Sequence, residues 1–369
     1  MFENYLYDKK IIKEWKAKGG KILGYFCSNV PEEIIYAAEV LPIRIFGETQ
    51  HVEKAYNHLP SWVCFYSKRC LETGLEGKYD FLDGIVGIKS DDTNIMLSQI
   101  WRRTLKPNFF YFLQFPCLKE KLNIDFYLNN LQEFKTALEN FTGNKISDEK
   151  LKESIKIYNQ NRKLLKKLYM LRKQENPPIN GAETLKIVLA SMTMPKEKHN
   201  ILLQKFLESL QEKSKSYGGV RLHITGTVLY DVDVLNMVEE CGAIVVSDDL
   251  CTGSRYFWSE TRENGNPMEA IIQRYIYGKV TCMELTNQLA CCIDERVEYI
   301  NRMVKEFKAE GVLYLGEKGC EICTYAKPRI QQMLKELAVP FLYLDLDFPL
   351  AKAPYQTRIE AFIESLGRR

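Results

Sequence analysis

The sequence predicts an α/β protein made of two doubly wound parallel-sheet domains joined by a helical segment. Three observations carry this reading. Short apolar runs alternate with helical patterns over residues 20–140 and again over 216–347, the spacing of parallel strands joined by crossover helices. Between them, from Ser147 onward, apolar residues recur at helical period. The run 243–246 then stops abruptly at Ser247-Asp248-Asp249, as a buried parallel strand does at the carboxyl edge of its sheet, where open α/β folds place ligands. The expected divisions are residues 1–145, 146–215 and 216–369.

Each element has a local justification. Residues 21–27 read as a strand, and Pro31-Glu32-Glu33 then opens a helix through Ala38, with proline and acids in the first turn, where both are tolerated. Further strands are expected over 41–46, 84–88 and 108–113, with a helix over 93–103. Ser147 caps a helix carrying Leu151, Ile155, Tyr158, Leu165, Leu168 and Leu171 on one stripe. Pro177-Pro178 and Gly181 interrupt it, and a second helical block runs to Lys215. Alternation resumes with strands over 221–225, 243–246, 311–315 and 340–344, separated by helices. At 369 residues the chain is long enough for two domains with separate cores.

Composition narrows the function. A net charge of +3 from 51 basic and 48 acidic residues implies no basic face for nucleic acid. No stretch has the apolar length of a signal peptide or a bilayer span, which predicts a cytoplasmic protein with no membrane partner. There are eleven cysteines, and a reducing cytosol disfavours pairing them as disulfides. Cys117, Cys241, Cys282, Cys291 and Cys292 read as small buried hydrophobes. Cys64, Cys70, Cys320 and Cys323 fall where loops are expected, within reach of a metal. His51, His58, His199 and His223 are scattered, with no ligand spacing among them.

Four stretches carry a resemblance. Asp248-Asp249-Leu250-Cys251-Thr252-Gly253-Ser254-Arg255-Tyr256-Phe257 resembles a signature of the 2-hydroxyacyl-CoA dehydratase and benzoyl-CoA reductase family of iron–sulfur proteins. The segments 24–38, 75–86 and 311–321 resemble other parts of the same family. The resemblance implies two Rossmann- or flavodoxin-like domains and a [4Fe–4S] cluster on three cysteines that leave one iron open. Carried over by position, the first ligand falls on Cys64 and the third on Cys320. The second ligand falls within Ser90-Asp91-Asp92, where Asp91 occupies the cysteine's place. A carboxylate is a harder ligand than thiolate. Asp91 ligates iron through oxygen, or Cys323 or Cys70 completes the site, or the cluster is lost.

Other residues have simpler readings. Ser28 and Asn29 serve as helix caps or as donors to a ligand, and Glu32 and Glu33 as first-turn acids. Arg255 is expected to pair with Asp248 or Asp249, and Gly226 and Gly253 to sit in turns. Cys320-Glu321-Ile322-Cys323 has redox spacing, but there is no helix start directly after a strand-borne Trp-Cys, which weakens a thioredoxin-like reading.

The resemblance implies the iron–sulfur subunit of an (R)-2-hydroxyacyl-CoA dehydratase, most like the shorter, beta-type chain. An ATP-dependent activator would supply one electron for radical elimination of water through a ketyl radical. Its partners would be a homologous larger subunit in a heterodimer and an acyl-CoA bound at or near their interface. Three alternatives stand beside it. One is a benzoyl-CoA reductase-type protein. Another is a double-cubane reductase, with Cys27, Cys70, Cys251 and Cys323 as the spare thiols. The last is a cluster-free partner subunit.

Overall fold

The structure is a computed structural model that describes residues 2–3, 5–116, 120–211, 216–278 and 289–367. The expectations for Cys117 and Cys282, and for the side chains of Cys291 and Cys292, lie outside the described residues. In the first half the chain runs α1 (Lys9–Ala17), β1 (Lys21–Tyr25), α2 (Glu32–Ala37), β2 (Val40–Arg44), α3 (Phe65–Leu75), β3 (Gly84–Ile88), α4 (Asp92–Leu105) and β4 (Phe109–Leu113). Four helices follow: α5 (Lys121–Thr142), α6 (Asp148–Leu171), α7 (Gly181–Ser191) and α8 (Lys196–Gln211). The second half runs β5 (Val220–Gly226), α9 (Val232–Glu240), β6 (Ala243–Asp249), α10 (Ser254–Phe257), α11 (Pro267–Gln273), α12 (Leu289–Glu306), β7 (Gly311–Glu317), α13 (Glu321–Glu336), β8 (Phe341–Leu346) and α14 (Lys352–Gly367).

Two separate four-stranded sheets result, ordered β2-β1-β3-β4 and β6-β5-β7-β8. Every pairing is parallel, and the chain is α/β as expected. In each sheet the order reverses beside its first strand, between β1 and β3 and between β5 and β7. That reversal opens a crevice at the carboxyl edge. Gly226, the last residue of β5, has φ +138°, and a Cβ there would stand 1.9 Å from Leu315 O. Only glycine permits this approach of β5 to β7.

Several expectations change. The sheets are distinct, but their cores are not: one apolar cluster contains Ile43 and Phe46 of the first half with Tyr230 and Leu315 of the second. Phe46 stacks on Tyr230 at 5.4 Å, and the Arg69 guanidinium lies 4.9 Å from the same ring. Strand β6 runs on through Asp249 instead of stopping at Val246. Cys70 lies within helix α3 rather than in a loop, and Cys323 lies within α13. Among the described residues, no helix is long and apolar enough to cross a membrane.

Glu32 and Glu33 are first-turn acids of α2 as expected, and both are buried. Tyr256 OH donates to Glu32 Oε2 at 2.6 Å, and Lys196 Nζ lies 3.5 Å from Oε1. Glu33 pairs with Arg162 and accepts from Tyr275 OH at 2.9 Å. Burial opposes ionisation of Glu33, but Arg162 and Arg274 overcome it and hold the carboxyl down to about 2. Helix α2 of the first half is thereby tied to α6 and to segments of the second half. Arg162→Met should leave the Glu33 charge buried without its partner, lowering unfolding free energy by about 3–5 kcal/mol, read from urea denaturation. Glu33→Gln added to Arg162→Met should recover part of that loss, because the orphaned charge is then removed.

Candidate functional site

A cavity of about 80 Å³ lies where the carboxyl edges of the two sheets face each other. Cys27 and Ser28 reach it from the end of β1, Arg44 from the last position of β2, and Asp91, Thr93 and Asn94 from the start of α4. The second half contributes Gly226 at the end of β5 with Thr227 and Val228 after it, Cys251 and Arg255 after β6, and Glu317 at the end of β7 with Cys320 to Cys323 after it. Both sheets thus offer their switch-point edges, where parallel folds bind ligands.

Three of the expected site residues share one local device. Cys64 is the N-cap of α3, Asp91 of α4 and Cys320 of α13. All three helices begin at the cavity, so their free N–H groups and positive dipole ends favour negative charge there. The helix expected between the strands at 311–315 and 340–344 begins directly after Cys320. Gly319, at φ +80°, turns the chain so closely against α3 that a Cβ would lie 2.9 Å from Trp62 O and 3.3 Å from the Cys64 Cα. Glu317 accepts from the Tyr66 backbone N–H in the first turn of α3. These two contacts bring the Cys64 and Cys320 loops together, although 255 residues separate them in the chain.

Cys70 does not line the cavity. It is fully buried on α3 with its thiol toward Ile45 O, and burial pushes that thiol up to about 12. Asp91 does line it, but its carboxylate is occupied: Oδ1 accepts from Asn94 N at 2.8 Å, and Oδ2 from Ser90 Oγ at 2.9 Å and from Asn94 Nδ2. Burial nevertheless pushes its carboxyl above the usual range. Cys27 and Cys251, offered as spare thiols, both face the cavity.

Electrostatics distinguish the thiols. Burial holds Cys64 well above the ordinary cysteine range. Cys320 and Cys323 lie one helical turn apart at the start of α13 and interact through a hydrogen bond. That bond raises Cys320, whereas Cys323, favoured by the bond and by the nearby Arg296 against its burial, is drawn below the ordinary thiol range. The signature loop is largely consumed by internal partners. Asp248 accepts from Ser254 N at 2.7 Å and Tyr169 OH at 2.5 Å, while Asp249 pairs with Arg255 at 3.2 Å and Arg296 at 2.6 Å. The pairing expected for Arg255 is the one to Asp249. His199 is satisfied by Asn161 and Ile187 O, and His223 Nδ1 by Ser247.

Sequence reasoning missed Arg44, Arg296 and Glu317. All three are charged residues inside apolar runs or helical stripes, which is the one signal that marks them. Among the described residues, no group of three or more His, Cys, Asp or Glu side chains is placed to hold a metal ion. A cluster makes a different demand, since its ligands are spread over several irons. Five thiols around one cavity, with three guanidinium groups and the carboxyls of Asp91, Glu317 and Glu321 beside them, form a soft donor set.

A protein with two facing parallel sheets and cysteines at the N-cap positions of helices at their shared cleft has clear kin. The 2-hydroxyglutaryl-CoA dehydratase, D-component family model matches residues 27–366, and the chain belongs to that family. It is 26% identical over 366 residues to the (R)-phenyllactyl-CoA dehydratase beta subunit of Clostridium sporogenes, covering 97% of this chain and 95% of that one. It is likewise 26% identical over 341 residues to a benzoyl-CoA reductase subunit of Thauera aromatica, covering 89% and 87%. To the beta subunit of the (R)-2-hydroxyglutaryl-CoA dehydratase of Acidaminococcus fermentans it is 24% identical over 364 residues, covering 97% and 96%.

Two outcomes follow for the metal-free chain. Asp91→Ala removes the α4 cap and should lower unfolding free energy by about 1 kcal/mol, measured by thermal or urea unfolding. Burial pushes the Glu317 carboxyl up to about 8 from an ordinary 4.5. The folded chain therefore keeps a proton that the unfolded chain releases. Stability from this group is complete below pH 4.5 and is lost as pH rises through 8. Glu317→Gln should flatten that part of the decline in urea midpoints; an unchanged slope would show that Glu317 ionises normally.

Proposed function

We propose that this chain is the iron–sulfur subunit, of the beta type, in an (R)-2-hydroxyacyl-CoA dehydratase, a lyase. The observation that carries the reading is the meeting of Cys64 and Cys320, as caps of α3 and α13, at one cavity between the sheet edges. Cys64, Cys320 and Cys323 would hold a [4Fe–4S] cluster there, which would supply one-electron chemistry toward a 2-hydroxyacyl thioester, with an ATP-dependent activator protein as the electron's source. The chain's own part is to hold, bury and neutralise that group. Its partner in this reading is a homologous larger subunit, and the acyl-CoA lies at or near the interface between them. The protein works in the cytoplasm.

The geometry favours Cys323 over Asp91 as the third ligand. The Asp91 oxygens are already committed to capping α4, whereas Cys323 faces the same cavity as Cys320 in a Cys-x-x-Cys spacing common among cluster ligands. A thiolate also suits iron–sulfur binding better than a carboxylate. A second reading, as part of a benzoyl-CoA reductase-type enzyme, is supported by the equal identity to the Thauera aromatica protein.

Anaerobic purification with iron and sulfide analysis tests the proposal. About four iron and four sulfide per chain are expected. Cys64→Ala, Cys320→Ala and Cys323→Ala should each strip most of the iron, while Asp91→Ala should retain it. Iron near zero in the unaltered chain would favour a structural partner subunit, and about eight iron a double-cubane reductase. Loss of iron from Asp91→Ala but not from Cys323→Ala would return the third position to Asp91.

A further inference from the structure

Three guanidinium groups line the cavity, and their surroundings differ. Arg255 and Arg296 share the Asp249 carboxylate, which burial alone would push up but which Arg296 and Arg255 hold below its usual range. Arg296 Nη2 also donates to Thr225 Oγ1 at 2.8 Å. Much of the charge on this pair is thus answered within the second sheet.

Arg44 has no such answer. It is 1% exposed and makes no ion pair among the described residues. Its Nη1 donates to Cys251 O at 2.8 Å, its Nη2 to Cys251 Sγ at 3.1 Å, and its Nε has no partner. The main chain holds it firmly, since Arg44 N donates to Met192 O at 2.9 Å and Arg44 O accepts from Tyr7 OH at 2.8 Å. A buried guanidinium without a carboxylate is costly unless something anionic faces it. Arg44 lines the same cavity as the cluster-ligand thiols and reaches it from the first sheet, gripping a thiol that belongs to the second.

We infer that Arg44 is the counter-charge of the cluster site: its guanidinium, steadied by Cys251, offsets the negative charge of the bound cluster and raises the potential at which it accepts an electron. This rests on the cluster reading above. Reduction adds one electron and no proton to the site, so the reduced form carries the greater negative charge. A fixed positive group nearby stabilises that form more than the oxidised one. Arg44 is accordingly a positioning residue that acts through charge, with no bond made or broken in the protein.

The test is a redox titration of the anaerobically reconstituted full chain, with dithionite as the one-electron donor and the cluster followed by absorption and electron paramagnetic resonance. Arg44→Gln should load iron like the unaltered chain but be about tenfold less reduced at the same potential, a midpoint about 59 mV more negative for one electron. Arg44→Lys, which keeps the charge, should restore most of the difference. Cys251→Asp retains Arg44 but sets a carboxylate against it, and should give a negative shift even if Arg44→Gln fails to fold. An unchanged midpoint in fully loaded Arg44→Gln or Cys251→Asp would make Arg44 only a tie between the sheets. Absence of iron from the unaltered chain would instead overturn the cluster reading and this inference with it.

Discussion

A parallel sheet delivers every strand's carboxyl end to the same edge, and the helices that follow must begin there. Two such sheets, each with its order reversing beside its first strand, face each other in this chain at those edges. Helix N-termini from both halves therefore meet in one cavity, and their caps become the site. Cys64, Asp91 and Cys320 are far apart in sequence but equivalent in this sense. What holds the arrangement in register is the contact between β7 and α3, where Glu317 takes the Tyr66 N–H and Gly319 lies against Cys64.

The halves are joined by buried charge as much as by apolar packing. Glu32 and Glu33 of α2 grip Lys196, Tyr256, Tyr275 and Arg162, and Arg44 grips Cys251. Such groups are costly to bury, so each is tolerated only with its partners in place. The same logic explains the signature loop. Asp248 and Asp249 hold the loop and its neighbouring arginines, which leaves Cys251 and Arg255 to face the cavity.

Much of this was legible in the sequence because parallel strands buried on both faces appear as short apolar runs. The strands at Lys21, Gly84, Gly311 and Phe341 were found in that way. Helix α3 was not, because Tyr66 through Gly74 are all buried. With Lys68, Arg69 and Glu72 turned inward, no polar face marks a helical period. The continuation of β6 through Asp249 was hidden for a related reason: its carboxylates look solvated until Arg296, 47 residues after Asp249, is seen to pair with Asp249 and Arg172 with Asp248. Cys64 and Cys320 were found by resemblance, since spacing alone gives no reason to join them. The commitment of the Asp91 oxygens to a helix cap is a matter of three-dimensional geometry alone.

In the proposed reading, the cavity lined by Cys64 and Cys320 at two helix starts, with the Arg44 guanidinium beside them, receives an anionic metal–sulfur group. Diffraction at the iron absorption edge, from anaerobically grown crystals of the loaded chain, tests that assignment most directly. The expected result is one anomalous peak between the N-termini of α3 and α13, bounded by Cys64, Cys320 and Cys323, with Arg44 nearby. A peak bounded by Asp91 without Cys323, a peak away from this cavity, or no iron peak from loaded crystals would contradict it.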